Sequence, residues 1–142
     1  MSREKTENWL KAASAIVIGF GLVMLLGTLP ATSAPVAFLT DLIFWPVDGR
    51  QVVSAPETRL LWAISGGILT GWGLLLWQIS TRLYPQDPSL ARTLILSSIG
   101  IWFLADGLGS ILAGAPLNAV LNIGFLLLFF VPLWRPIQRA EV

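Results

Sequence analysis

TLILSSIGIWFLADGLGSILAGAPLNAVLNIGFLLLFFVPLW, residues 93–134, contains a single charged residue, Asp106. Two more stretches, residues 12–40 and 60–81, contain no charged residue at all. A helix that crosses a bilayer needs about 20 mostly apolar residues, so each stretch is long enough to supply at least one span. The sequence therefore predicts an integral membrane protein whose helices are surrounded by lipid.

The composition agrees with a membrane protein. Of the 142 residues, 55% are hydrophobic and 12% are charged, whereas a soluble domain has about 25% charged residues. The net charge of +1 gives no indication of a nucleic-acid partner. The chain has no Cys and no His, which excludes disulfides, thiol catalysis, His general bases, and Cys- or His-ligated haem, chlorophyll, zinc and iron–sulfur clusters. No cofactor is identifiable from the sequence.

Proline residues divide the apolar stretches into spans, because proline breaks a helix interior but suits a first turn. We predict an all-α fold, a four-helix transmembrane bundle that forms one integral membrane domain over residues 1–142. The predicted spans are residues 9–29, 57–82, 89–113 and 116–134. The basic N-terminus also fits a signal peptide, but its apolar run is too long, so we expect span one to be retained.

The loop of residues 30–56, the outer loop, is too apolar in its middle to lie freely in water. Residues 36–45 contain only one charged side chain, Asp41. We predict a short interfacial helix lying on the membrane, with Asp41 facing outward. The alternatives are a lid over the outer mouth of the bundle and a docking surface for a partner.

The positive-inside rule orients the four spans. Only Arg50 and Arg59 lie on the side of the outer loop. The other basic residues of the loops and termini lie on the opposite side: Arg3, Lys5, Lys11, Arg82, Arg92, Arg135 and Arg139. We therefore expect both termini on the cytoplasmic side of a bacterial inner membrane.

Small residues recur every four positions in spans two and three. They are Ala63, Gly67 and Gly71 in span two, and Ala105 and Gly109 in span three. Such stripes let helix backbones approach closely in lipid. We predict that they pack helices within the bundle, with a dimer face as the alternative.

Asp106 is the only ionisable residue well inside a span, about 12 Å below the outer end at 1.5 Å per residue. Helical spacing allows a buried polar cluster of Asp106, Ser110, Asn118 and Asn122. This cluster either locks spans three and four in register, or makes Asp106 a protonatable transport or ligand site. We favour the structural role, because the spans supply no second acid and no buried Lys.

Glu57 and Arg59 form a charged pair at the start of span two. We expect Arg59 to lie nearer Asn118 or Glu57 than Asp106, because side chains tilt toward the N-terminus of their own helix. Catalysis is not expected. A single buried acid cannot supply a two-carboxylate mechanism, and the acids of the outer loop are scattered along the sequence.

The segment ETRLLW at residues 57–62, followed by Gly66, Gly67, Gly71 and Gly73, resembles span two of small bacterial four-helix membrane proteins of the broad DoxX-like group. Residues 106–107 and 114–116 are similar to the hairpin of that group. The motif likeness is confined mainly to span two, and the long outer loop departs from it. The resemblance implies the four-helix fold and a shared structural or ligand-binding role for Glu57 and Arg59.

These observations lead to two functional hypotheses. The first is a non-catalytic accessory or scaffold subunit that packs beside a larger membrane complex or associates with itself. Its partners are then the lipid bilayer and other membrane helices. The alternative is a small proton-coupled transporter or lipophilic-ligand binder that uses Asp106.

Overall fold

The computed structural model describes residues 1–134, and over these residues the chain is all-helical with no strand. Four helices are long and apolar enough to cross a membrane, and one shorter helix lies in the outer loop. The five helices are α1 (Arg3–Leu26), α2 (Ala34–Ile43), α3 (Pro56–Gln78), α4 (Pro88–Leu112) and α5 (Pro116–Leu133). A π-helical turn, Ile79–Leu83, extends α3.

Helix boundaries coincide with proline, capping and glycine residues. Pro56, Pro88 and Pro116 are the first residues of their helices, where the missing N–H costs nothing. Asp87 caps α4 by accepting a hydrogen bond from the Leu90 amide at 2.9 Å. Gly114 joins α4 to α5 with a φ of +76°, which favours glycine. Helices α3, α4 and α5 thus begin within one residue of the first residues of the predicted spans two to four, and α1 begins six residues before predicted span one.

The helices pack as two antiparallel pairs, α1 with α3 and α4 with α5, and α1 also contacts α5. The buried core lies between these pairs, toward the end that carries the N-terminus. Its fully buried side chains include Leu10, Val17, Leu76, Ile95 and Phe129. The opposite end, which we call the loop end, carries the outer loop and the α4–α5 turn.

Glycines let α1 and α3 touch along their backbones. A Cβ added to Gly66 would lie 2.6 Å from the Leu25 amide nitrogen and 2.7 Å from the Gly21 carbonyl oxygen. At Gly73 the added Cβ would lie 2.9 Å from the Ile18 nitrogen. Only glycine fits at these positions, so the close approach runs through Gly21, Gly66 and Gly73.

Of the stripe Ala63, Gly67 and Gly71, the two glycines make no close helix contact within residues 1–134. Apart from the local backbone of α3, no atom among residues 1–134 lies within 4 Å of a Cβ built on Gly67 or Gly71. The same is true of Gly109 in α4, and Ala105 is exposed beside it. The physical reason is rotation: α3 turns Gly66 and Gly73 toward α1, which leaves the neighbouring stripe facing outward.

Arginines near helix N-termini bind the carbonyl ends of neighbouring helices. Carbonyls of the last turn lack partners within their own helix, and the helix dipole favours a cation there. The bonds run from Arg3 to the Tyr84 and Pro85 carbonyls, from Arg59 to Thr28, and from Arg92 to Leu133. These three arginines, which also entered the positive-inside argument, thus connect helix ends. Arg135 and Arg139 lie outside the described residues.

Tyr84 follows the π-helical turn and is 1% exposed. Burial raises the pKa of its phenol above the ordinary value of 10.0, and this outweighs the opposing effects of Thr6 and Arg3. Ionisation is therefore less favourable in the folded state. Tyr84 should contribute stability that is complete below the unfolded pKa of about 10 and that is lost as pH rises through the folded pKa.

We predict that alkaline unfolding of the wild type includes this loss and that Tyr84→Phe lacks it. Because Tyr84 is the single tyrosine of the chain, the near-ultraviolet absorbance of tyrosinate reports on it alone. A titration midpoint at or below that of a free tyrosine would contradict the burial argument.

Candidate functional site

Asp106 lies in the α4–α5 hairpin and is bonded to three polar side chains. Its Oδ2 accepts hydrogen bonds from the Asn118 amide at 3.1 Å, the Ser110 hydroxyl at 3.5 Å and the Asn122 amide. Asn118 also donates to the Ser110 Oγ at 2.9 Å. The structure thus brings together all four residues of the predicted polar cluster, two from each helix.

The hairpin places the two polar residues of α4 opposite the two polar residues of α5. Ser110 lies one turn beyond Asp106 on α4, and Asn118 lies one turn before Asn122 on α5, so the two rows face each other across the turn. Asn122 is 7% exposed and the other three are half-buried. Among residues 1–134, no buried side-chain nitrogen or oxygen lacks a hydrogen-bond partner. The fully buried polar atoms of the cluster are therefore all hydrogen-bonded.

An aromatic layer lies directly beneath the polar cluster, on its side away from the loop end. Each spanning helix contributes one ring to it. The ring centroids are 5.2 Å apart for Phe20 and Phe125, 5.6 Å for Trp72 and Trp102, and 6.1 Å for Trp102 and Phe125. These separations are those of favourable aromatic pairs. Since Trp102 is one turn from Asp106, the layer separates the cluster from the core.

The structure corrects the expected orientation of Asp41. Its side chain is buried, with the residue only 4% exposed. Its carboxylate accepts hydrogen bonds from the Gly49 amide at 2.8 Å and the Gln51 amide at 3.5 Å. The outward prediction failed because these backbone donors come from the segment after α2, which folds back over the carboxylate. Asp41 thus holds the outer loop together.

The short helix α2 contacts both α1 and α5 at the loop end. Val36 is fully buried, and its methyl groups occupy the space where a side chain at Gly27 would lie. In contrast, Phe38 is 60% exposed and Trp45 is 67% exposed. The outer loop therefore has one face that packs on the helices and another that presents large apolar side chains.

A cavity of about 520 Å³ lies beneath the outer loop. Its walls come from α2, from the segments on both sides of α2 and from the start of α3. The lining residues are Pro30, Ser33, Ala37, Phe38, Asp41, Gly49, Gln51, Val52, Val53, Ser54 and Arg59. Its size falls in the range of small-molecule sites, about 300–1,000 Å³.

Arg59 has a hydrogen-bond partner that the sequence did not predict. Its Nε donates to the Thr28 carbonyl at 2.7 Å, so it joins α3 to the end of α1 and not to Asn118. Within the described part of the chain it forms no ion pair with Glu57, which is exposed. The tight α1–α3 contact explains this difference, because it brings the end of α1 within reach of Arg59.

The part of the chain that the structure describes places few groups at the site that could bind a metal or transfer a proton. No group of three or more His, Cys, Asp or Glu residues that could hold a metal ion occurs among residues 1–134. The Asp106 carboxylate is bound by amide and hydroxyl donors, and no second carboxylate from residues 1–134 takes part in these bonds. This arrangement can fix helix register or hold a polar ligand.

Besides the bond between Arg59 and Thr28, sequence reasoning missed two features. The Asp41 loop contact was missed because its backbone donors lie eight and ten residues further along the chain. The Gly21, Gly66 and Gly73 contact was missed because spacing by four selected the adjacent stripe. The adjacent glycines Gly66 and Gly67 left two possible faces for α3, and only the helix rotation distinguishes them.

The chain was compared with known proteins at the level of sequence and of structure. No protein-family model, no curated protein and no solved structure matches it.

Proposed function

We propose that the protein is a non-catalytic integral membrane subunit that packs beside the transmembrane helices of a larger complex. It contacts its partner through the glycine face of α3, which we define as Ala63, Gly67 and Gly71. One observation carries the proposal: outside the local backbone of α3, the described part of the chain places no atom within 4 Å of a Cβ added to Gly67 or Gly71. A helix backbone from another chain can approach this open surface closely.

The position of α3 supports this proposal. The helix packs mainly on α1, through Gly66 and Gly73, so close packing within the chain does not explain Gly67 and Gly71. Leu60, Ile64 and Leu74 flank the glycine face and are 60%, 48% and 51% exposed. A surface of small residues bordered by larger apolar ones suits the helix–helix contacts that form in lipid.

The membrane placement belongs to the same proposal. Arg3, Lys5, Lys11, Arg82 and Arg92 lie at the end opposite the loop end, which supports cytoplasmic termini in a bacterial inner membrane. The exposed Phe38 and Trp45 support an interfacial position for α2, because aromatic side chains are enriched at that depth. We also retain the DoxX-like relationship as a proposal.

We predict that Gly67→Leu combined with Gly71→Leu blocks partner contact while the subunit still folds. A Cβ at either position meets no other helix among residues 1–134, and the leucine side chain beyond it holds an incoming helix away. With a photo-crosslinking residue at Ile64, the double variant should reduce crosslinking to the partner about tenfold, equivalent to about 1.4 kcal/mol.

The matched control is Gly124→Leu on α5, which also fills open space but has no small residue four positions away. It should crosslink like the wild type. Equal crosslinking in the double variant would contradict the glycine face as the contact surface. A crosslink to a second copy of the chain would identify self-association.

The alternative function is a proton-coupled transporter or lipophilic-ligand binder centred on Asp106. The hydrogen bonds from Ser110, Asn118 and Asn122 instead support a structural role that fixes the register of α4 and α5. Asp106→Asn distinguishes the two, because it removes the proton-binding group and retains an acceptor. A scaffold keeps its partner in this variant, whereas a transporter loses pH-dependent transport.

A further inference from the structure

The cavity beneath the outer loop contains a cation with unused donors. Arg59 uses its Nε for the Thr28 carbonyl, and its two Nη atoms form no hydrogen bond within residues 1–134. No carboxylate in the described part of the chain lies within 4 Å of it. The pair of Nη groups is a geometry that binds phosphate oxygens well.

The surroundings of Arg59 add to its preference for an anion. It lies in the first turn of α3, where the N-cap residue Ala55 provides no side-chain hydrogen bond. The N-terminal amides of a helix carry partial positive charge. Glu57 shares this turn, but it is exposed and does not line the cavity.

Asp41 also lines the cavity, but its carboxylate is already engaged. The backbone amides of Gly49 and Gln51 donate to it, and the residue is 4% exposed. Arg59 is thus the charged group left to meet a ligand. Phe38 and Val52 also line the cavity and are 60% and 69% exposed, so an apolar chain has a surface to contact.

The level of the bilayer at which the cavity lies indicates the source of the anion. Arg59 lies at the beginning of a spanning helix, and its neighbours Leu60 and Leu61 are 60% and 63% exposed. Lipid phosphates lie at this level of a bilayer, just outside the hydrocarbon core. We propose that the cavity binds the phosphate group of a membrane phospholipid through the Nη atoms of Arg59, with the first part of an acyl chain against Phe38 and Val52.

The absence of cysteine from the sequence permits a direct test by thiol labelling. Ser33→Cys places one thiol in the cavity wall, and Val47→Cys places one in the same loop outside the cavity. Both variants are purified in a phosphate-free maltoside detergent and labelled with a maleimide. The additions are dioleoyl phosphatidylglycerol, dioleoylglycerol with the same chains but no phosphate, or inorganic phosphate alone.

We expect phosphatidylglycerol to slow labelling of Ser33→Cys about tenfold, while the other two additions and the Val47→Cys control show no change. Equal protection by dioleoylglycerol would overturn the role of the phosphate. Equal protection by inorganic phosphate would overturn the lipid as its source. No protection by any addition would overturn the site.

Charge variants then test the assigned residue. Arg59→Gln in the Ser33→Cys background should remove most of the protection. Arg50→Gln, which removes an exposed charge paired with Asp48 from the same loop, should leave it unchanged. Equal effects of the two substitutions would overturn the assignment to Arg59.

A second variant keeps the proposal testable if Arg59→Gln does not accumulate. Ala37→Phe fills the cavity from α2 and leaves the bond between Arg59 and Thr28 in place. We expect it to weaken phosphatidylglycerol binding about tenfold by native mass spectrometry. Unchanged binding would contradict the cavity as the site.

Discussion

Gly66→Leu is expected to prevent accumulation of the folded protein, whereas the same substitution at the adjacent Gly67 leaves folding intact. Even one added carbon at Gly66 would lie 2.6 Å from the Leu25 nitrogen. The obstructing atoms belong to the backbone of α1, so they cannot move aside as a side chain can. The two helices would have to separate along their whole contact.

Alanine substitutions at Gly66 and Gly67 change the unfolding free energy by amounts that can be measured. Overpacking of this kind costs about 1–3 kcal/mol, so Gly66→Ala should lower the unfolding free energy by that amount. Gly67→Ala should leave it unchanged or raise it by up to about 1 kcal/mol, because alanine is the better helix former. Unfolding of the purified protein in detergent, followed by tryptophan fluorescence, measures both. Equal losses would contradict the rotation of α3 described here.

Asp106→Leu is expected to destabilise the hairpin by about 1–3 kcal/mol, because it leaves the buried Asn122 amide without its acceptor. Asn118 loses one acceptor but retains the Ser110 hydroxyl. Asp106→Asn should cost less, since its amide oxygen still accepts a hydrogen bond. The same detergent unfolding experiment measures these differences.

A double variant distinguishes the cost of losing a hydrogen bond from the cost of leaving a buried polar group without a partner. Replacing both members of a buried pair by apolar groups can be nearly neutral. Asp106→Leu with Asn122→Leu should therefore recover much of the stability lost in Asp106→Leu. A further loss in the double variant, equal to the sum of the single losses, would contradict the pairing of these two side chains.

The all-helical fold and its four long apolar helices were predictable because charge and proline punctuate the chain so clearly. Pro56, Pro88 and Pro116 begin helices in the structure, and their apolar runs match membrane thickness. The polar cluster was predictable for a related reason. Asp106 and Asn122 lie on two helices joined by a tight turn, and fixed helical spacing then determines their depth.

The remaining features depend on helix rotation and long-range folding. Gly66 and Gly67 differ by 100° around α3, and no local pattern states which of them faces α1. Asp41 was assigned by its polarity to solvent, although backbone amides of the outer loop satisfy it inside. Helix depth and side-chain tilt were the basis for placing Arg59 near Asn118 or Glu57, whereas the Thr28 carbonyl that it binds lies 31 residues away.

The measurement that tests the subunit proposal most directly is the size and content of the particle released by gentle extraction from native membranes. Native-gel sizing, mass spectrometry and an absorbance spectrum are applied to the same intact particle. The wild-type 15.4 kDa chain should migrate with a much larger assembly, and Gly67→Leu with Gly71→Leu should release it. A wild-type chain that runs alone as a monomer would contradict the proposal and move attention to Asp106 and the outer cavity.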